Sequence, residues 1–183
     1  NLGVPSVAAT NFTWYDIYEP YAQELKWFRP AAEHMLNQYR LATLALAFSP
    51  SNPMSYFPCR KDVPVVGRVG TARKETLIRL LGIKPGKRVA LIYPGTFGLG
   101  LIPWKKLASF TDWEFTGLYA LEEVPSNYHL ISKSDMRYED ITASVDLVIS
   151  KLGYSTVADC MLNGTPLLYL PRENFAEYPF LNQ

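Results

Sequence analysis

Short apolar runs set the rhythm of this chain. Arg88-Val-Ala-Leu-Ile-Tyr93, Val145-Asp-Leu-Val-Ile149 and Leu167-Leu-Tyr-Leu170 are apolar nearly throughout. That is the pattern of strands covered on both faces in a parallel sheet. Ser6-Val-Ala-Ala-Thr10, Trp113-Glu-Phe-Thr-Gly-Leu-Tyr119 and Tyr128-His-Leu-Ile131 read as further strands. Between them the period lengthens. Tyr21 to Leu46 reads as largely helical, with Leu25, Phe28, Ala32, Met35, Leu36 and Tyr39 along one face and Pro30 breaking or restarting it. Thr71 is placed to cap a helix over 72–81 that Gly82 ends. Helices are also predicted over 103–110, over 136–143 and from Ser155 onward, the last closed by Gly164-Thr-Pro.

From residue 71 the order is helix, strand, helix, strand, strand, helix, strand, helix, strand. Such alternation predicts a doubly wound parallel α/β domain. Ser49 to Pro58 carries three prolines and reads as a loop, and Val63 to Gly67 as a short strand or extended segment. This Pro-rich zone is the expected linker between two lobes, which divides the chain into 1–62 and 63–183. Asn11 to Tyr18 sets four aromatic rings and three polar side chains in eight residues. It reads as a loop at a strand's carboxyl end, either plugging the sheet edge or facing a ligand.

Composition narrows the partners. Of 183 residues, 48% are hydrophobic and 19% charged, with a net charge of +1. The chain is globular, and nothing in its charge favours nucleic acid or an anionic membrane. Its two cysteines, Cys59 and Cys160, make no disulfide framework, so a cytoplasmic location is expected. The longest apolar window, Leu41 to Phe48, is too short to span a bilayer, although peripheral membrane contact stays open. The first residues, Asn1-Leu-Gly-Val-Pro, hold no initiator Met and no signal layout, and the last fall just after an incipient helix. Both ends are expected to be truncated.

Two turns fall where such sheets bind ligands, at the strand carboxyl ends. Pro94-Gly-Thr-Phe-Gly-Leu-Gly100 follows the first strand of the domain, and Lys151-Leu-Gly-Tyr-Ser-Thr156 opens the helix after Ile149. The glycines at 95, 98 and 100 do not match a dinucleotide fingerprint, and no Gly-Lys-Ser/Thr makes a P-loop. A helix N-terminus with two adjacent hydroxyls, Ser155 and Thr156, is nevertheless a favourable place for phosphate. His34 and His129 read as surface or packing residues. No Asp-x-Asp and no cysteine/histidine cluster is present, so neither a metal nor a cofactor is expected.

Leu147 to Asp159, with Gly164-Thr-Pro-Leu-Leu-Tyr-Leu-Pro171, resembles the donor-binding segment of GT-B glycosyltransferases, in the branch that holds the lipid-linked N-acetylglucosaminyltransferase of peptidoglycan synthesis. Gly3 to Tyr18, with Arg172 to Leu181, is similar to glycosyltransferase-like proteins related to the amino-terminal half of plant L-arabinokinase. The resemblance implies an α/β protein of two Rossmann-like lobes, an acceptor lobe followed by a nucleotide-sugar lobe. It implies donor diphosphate contacts from Thr96, Phe97, Gly98, Gly153, Ser155 and Thr156, and ribose contacts from Asp159, where the family usually has Glu. Glu173 and Asn174 fall in the loop that approaches the donor sugar, although Ala176-Glu-Tyr-Pro replaces a common Asp-Gln pair. Asn11, Thr13 and Trp14 fall on the acceptor side, and Asp16 is the nearby carboxylate for a general base. The expected activity is metal-independent transfer of a sugar from a nucleotide diphosphate to an acceptor of unknown type. A non-catalytic nucleotide- or sugar-binding module related to sugar-kinase-associated domains, and a nucleotide-sugar epimerase, are the competing readings.

Overall fold

The computed structural model describes residues 3–132, 134–171, 175 and 177–182, with the backbone alone at Thr96 and Phe97. The chain forms two compact units. One comprises Asn1–Val66 with Arg172–Gln183, and the other Gly67–Pro171. This differs from a division at residue 62 because the carboxyl-terminal residues group with the first unit.

In the first unit, β1 (Val7–Thr10), β2 (Leu44–Phe48) and β3 (Arg60–Val63) form a parallel sheet in that order. Helices α1 (Trp14–Glu24) and α2 (Arg29–Tyr39), joined by a 3-10 turn, make the crossover from β1 to β2. The stretch expected to be helical to Leu46 therefore ends early. Leu44–Phe48 pairs with both neighbouring strands and buries Ala45 and Ala47 completely, a period of two rather than 3.6. Pro30 restarts the helix at its first turn, where its missing N–H costs nothing. The predicted aromatic loop after Asn11 is also corrected. Thr13 accepts a hydrogen bond from the Asp16 amide, and the Asp16 carboxylate accepts one from the Thr13 amide, at 2.6 Å. This capping box starts α1 at Trp14. The third strand ends at Val63, where Pro64 cannot donate to a ladder, so Val63 to Gly67 is not the strand. A single carboxyl-terminal turn, α6 (Tyr178–Leu181), belongs to this unit.

In the second unit β4 (Arg88–Tyr93), β5 (Trp113–Gly117), β6 (Tyr128–Leu130), β7 (Leu147–Lys151) and β8 (Leu167–Leu170) lie parallel in the order β6-β5-β4-β7-β8. Central β4 explains its own composition. Val89 and Leu91 enter one core with Leu77, Ile141, Val148 and Cys160, while Ala90 and Ile92 enter a second with Leu107 and Phe115. Helices α3 (Lys74–Leu81), α4 (Tyr138–Ser144) and α5 (Tyr154–Asn163) cover the sheet. Cap and helix expectations need two corrections. Thr71 gives its amide to Asp140 Oδ1 at 2.8 Å, and α3 starts at Lys74 behind Arg73. The segment after Pro103 is a 3-10 helix, Trp104–Ser109, rather than an α-helix. Chain order reverses direction between β4 and β7, which opens a switch point at their carboxyl ends.

Candidate functional site

Strands β4 and β7 pair in register from Ala90–Leu147 to Tyr93–Ser150. Their carboxyl ends therefore deliver the Pro94–Gly100 and Lys151–Thr156 turns side by side. Ser150 Oγ donates to the Tyr93 carbonyl at 2.6 Å and fastens the strand ends together. Gly95 takes φ +70°, and the Tyr119 hydroxyl lies against its backbone. A Cβ built on Gly95 would lie 3.4 Å from Lys151 Cε and 3.7 Å from its Nζ. The Lys151 ammonium thus sits over the glycine turn, at the mouth of the switch point. Gly153 stands in extended backbone as the N-cap of α5, and no side chain among the described residues caps that helix. Ser155 is exposed and Thr156 half-buried in its first turn.

A cation, a helix N-terminus and two hydroxyls therefore share one edge of the sheet. Charge at such a place favours an anion with several oxygens. Of the residues expected to hold a diphosphate, Gly153, Ser155 and Thr156 fall here. Gly98 differs. Its amide donates to the Gly95 carbonyl at 3.1 Å, and a Cβ on it would lie 2.6 Å from Pro94 Cβ, so it shapes the turn. Thr96 and Phe97 contribute backbone to the 3-10 turn after Gly95, and their side chains lie outside the described residues. Lys151 was absent from the sequence-based set. Its signal was a lone basic residue ending a buried strand two positions before the N-cap glycine.

Asp159 holds a different place from the one its alignment to a ribose-binding acid implies. It is 1% exposed. Its Oδ1 accepts from the Arg68 amide at 2.7 Å, and its Oδ2 from Arg68 Nη2 at 2.6 Å. One turn on, Asn163 accepts from the Gly70 amide and donates to the Arg68 carbonyl. The two side chains together tie the 67–70 segment along α5. The Arg68 guanidinium also lies 4.9 Å above the Tyr138 ring, and Asp159 raises its pKa. Burial pushes the Tyr138 phenol up to about 12. The carboxylate of Asp159 is spent on this clamp. Glu173 and Asn174 lie outside the described residues.

The first unit carries a separate groove of 1160 Å³ that Tyr15, Asp16, Glu19, Arg40, Asn52 and Tyr56 help to line. Asp16 is less available than an isolated base. Its Oδ2 accepts from the Thr13 amide, the Thr13 hydroxyl and the Tyr56 hydroxyl, the last two at 3.0 Å. Burial raises the Tyr56 phenol above its ordinary value. Asn11 and Thr13 are internal. Asn11 Nδ2 donates to Glu177 Oε1 at 2.6 Å with both side chains buried, and Thr13 is 3% exposed. Trp14 is exposed and stacks on Tyr18, with ring centroids 5.7 Å apart. The histidines stay outside both sites: His34 is exposed, and His129 Nε2 lies 2.7 Å from Glu114 Oε2. Among the described residues no group of three His, Cys, Asp or Glu side chains is placed to hold a metal ion. No described helix is long and apolar enough to cross a membrane.

No family model matches the chain. L-arabinokinase of Arabidopsis thaliana is 31% identical over 187 residues, covering 99% of this chain and 18% of that protein. The UDP-N-acetylglucosamine–N-acetylmuramyl-(pentapeptide) pyrophosphoryl-undecaprenol N-acetylglucosamine transferase of Halalkalibacterium halodurans is 26% identical over 137 residues, covering 64% of this chain and 38% of that one. Two solved structures superpose on nearly the whole chain at 15% identity. They are the glycotransferase of kitacinnamycin, with TM-score 0.58 over 98% of the chain, and the spinosyn forosaminyltransferase, with TM-score 0.60 over 99%. This chain spans 55% of each of them. Its fold is that of the GT-B glycosyltransferases, as the sequence resemblance implied.

Proposed function

We propose that the switch point of the Gly67–Pro171 unit binds the diphosphate of a nucleotide-sugar donor, and that the protein transfers the sugar to an acceptor hydroxyl. The observation that carries this reading is the Lys151 ammonium beside the Gly95 turn, close to the N-cap Gly153 of α5. In the transfer, the acceptor oxygen bonds to the anomeric carbon as the bond from that carbon to the phosphate oxygen breaks. The nucleoside diphosphate leaves with the bonding electrons, and the acceptor proton passes to a base. The departing charge needs stabilisation that was already in place before the reaction. Lys151, the first-turn amides of α5 and the Ser155 and Thr156 hydroxyls supply it without assigning that task to a divalent cation. Gly153 keeps the backbone close to the phosphates.

The reading is tested by calorimetric titration of the protein with UDP, GDP, dTDP and ADP. One of them binds, and Lys151→Ala weakens it about 10- to 100-fold, the range for a lost charge-assisted contact of about 1.5–3 kcal/mol. If none of the four binds, the donor-site reading fails. A second reading, a nucleotide-binding module without transferase activity, draws support from Asp16, whose Oδ2 is already committed to three donors. Nucleotide binding with no release of diphosphate from any nucleotide sugar, in the presence of acceptors, favours the module.

A further inference from the structure

We infer that the groove in the first unit binds a neutral saccharide. The groove measures 1160 Å³, somewhat above the range of about 300–1,000 Å³ of small-molecule sites and larger than one sugar ring needs. Its walls combine the two surfaces that sugars present. Aromatic faces meet the C–H faces of a pyranose or furanose ring, and here Tyr15 and Tyr56 pack edge to face with centroids 5.1 Å apart. Carboxylates and amides meet the hydroxyls, and Asp16, Glu19 and Asn52 line the same space.

Asn52 is the observation that points most directly to a ligand. It is 4% exposed, and its backbone is fixed at both ends, the amide to Asn11 at 2.9 Å and the carbonyl by Arg60 Nη1 at 2.9 Å. Its side-chain Oδ1 is buried and has no hydrogen-bond partner among the described residues. A buried carbonyl oxygen left without a donor is costly, and a ligand hydroxyl would satisfy it once the Asn52 side chain turns toward the groove it lines. Asp16 offers a second acceptor, because its hydrogen bonds among the described residues all fall on Oδ2.

Charge decides between ligand classes. Among the described residues, Asp16, Glu19 and Glu24 line the groove against one guanidinium, Arg40. The excess of negative charge works against phosphates, uronates and other anions. Arg40 on the same wall works against polyamines. A neutral polyol uses both kinds of group, accepting from Arg40 and donating to the carboxylates. In the transfer reading, on which this last step rests, the saccharide is the acceptor.

The test is saturation-transfer NMR of the whole protein with maltose, cellobiose, xylobiose and lactose at millimolar concentration. Glucuronic acid and spermidine serve as the charged comparators. At least one neutral disaccharide gives transfer, and Tyr15→Ala and Glu19→Gln each weaken it about tenfold or more while their thermal melts stay cooperative. No transfer to any of the four, a preference for either charged comparator, or unchanged binding in both variants overturns the inference. Nucleotide titration of the same parent sample reads the Gly67–Pro171 unit separately. A protein that binds a nucleotide but no saccharide therefore loses only this inference, and one that binds a saccharide but no nucleotide loses only the donor reading.

Discussion

Replacing Asp159 by Ala separates a structural carboxylate from a ligand contact. The side chain is 2% exposed and accepts two hydrogen bonds from Arg68, one from its amide and one from its guanidinium. Truncation removes both and leaves the Arg68 amide without its acceptor. Breaking a buried ion pair costs about 3–5 kcal/mol. The Arg68 side chain is 55% exposed, so water recovers much of its charge, and the expected cost falls to about 2 kcal/mol. In a chain of this length that is a drop in Tm of roughly 4–8 °C. Asp159→Asn keeps one acceptor and should cost about half as much. Arg68→Ala should come close to Asp159→Ala, because it leaves the buried carboxylate with the backbone amide of residue 68 but without its cation. Thermal melts followed by circular dichroism measure all three, and a double variant tests whether the pair is coupled. If Asp159→Ala melts together with the parent and instead loses nucleotide affinity, the clamp assignment is wrong and Asp159 is a ligand residue.

Other consequences can be checked with the same instruments. Gly70→Ala would place a Cβ 1.9 Å from the Glu139 carbonyl oxygen, whereas Gly100→Ala meets open space. The first should lower Tm by at least several degrees more than the second, and equal melts would contradict the close approach of 70 to α4. Thr13→Ala removes the capping box of α1 and should cost about 1 kcal/mol in denaturant titration. No change in the midpoint would remove the cap from the account. Asp140 is held below the usual carboxylate range, first by the Arg137 hydrogen bond and then by the Thr71 amide. Its stabilising effect is therefore present above the unfolded value of 3.8 and lost as pH falls through the lower folded value. Asp140→Asn should reduce stability at neutral pH and flatten the acid limb below about pH 4. An acid limb as steep as the parent's would refute this.

What could be read from the sequence depended on how local each signal was. Strands β4, β7 and β8 and helix α5 were legible because burial on both faces leaves an apolar run bounded by glycine. Strand β2 was not. Leu44-Ala-Leu-Ala-Phe48 is apolar at every position, so its period of two shows only through the burial of Ala45 and Ala47 between β1 and β3. Helix α1 was hidden beneath its aromatic content, although Thr13-x-x-Asp16 spelled its N-terminus. At the candidate site the helix start at Gly153 was local and legible. Lys151 was missed because its nearness to Gly95 arises from the pairing of β4 with β7. The partnership of Arg68 with Asp159 joins residues 91 apart, and nothing in either neighbourhood announces it.

In the proposed function, Lys151 and the first turn of α5 hold a diphosphate. Phosphorus NMR of a bound nucleoside diphosphate tests this most directly, comparing the parent with Lys151→Ala and Thr156→Ala. The β-phosphate resonance is expected to shift on binding to the parent. That shift should be lost or weakened about tenfold or more in Lys151→Ala. A β-phosphate resonance that titrates identically in the parent and Lys151→Ala would place the diphosphate elsewhere and contradict the account.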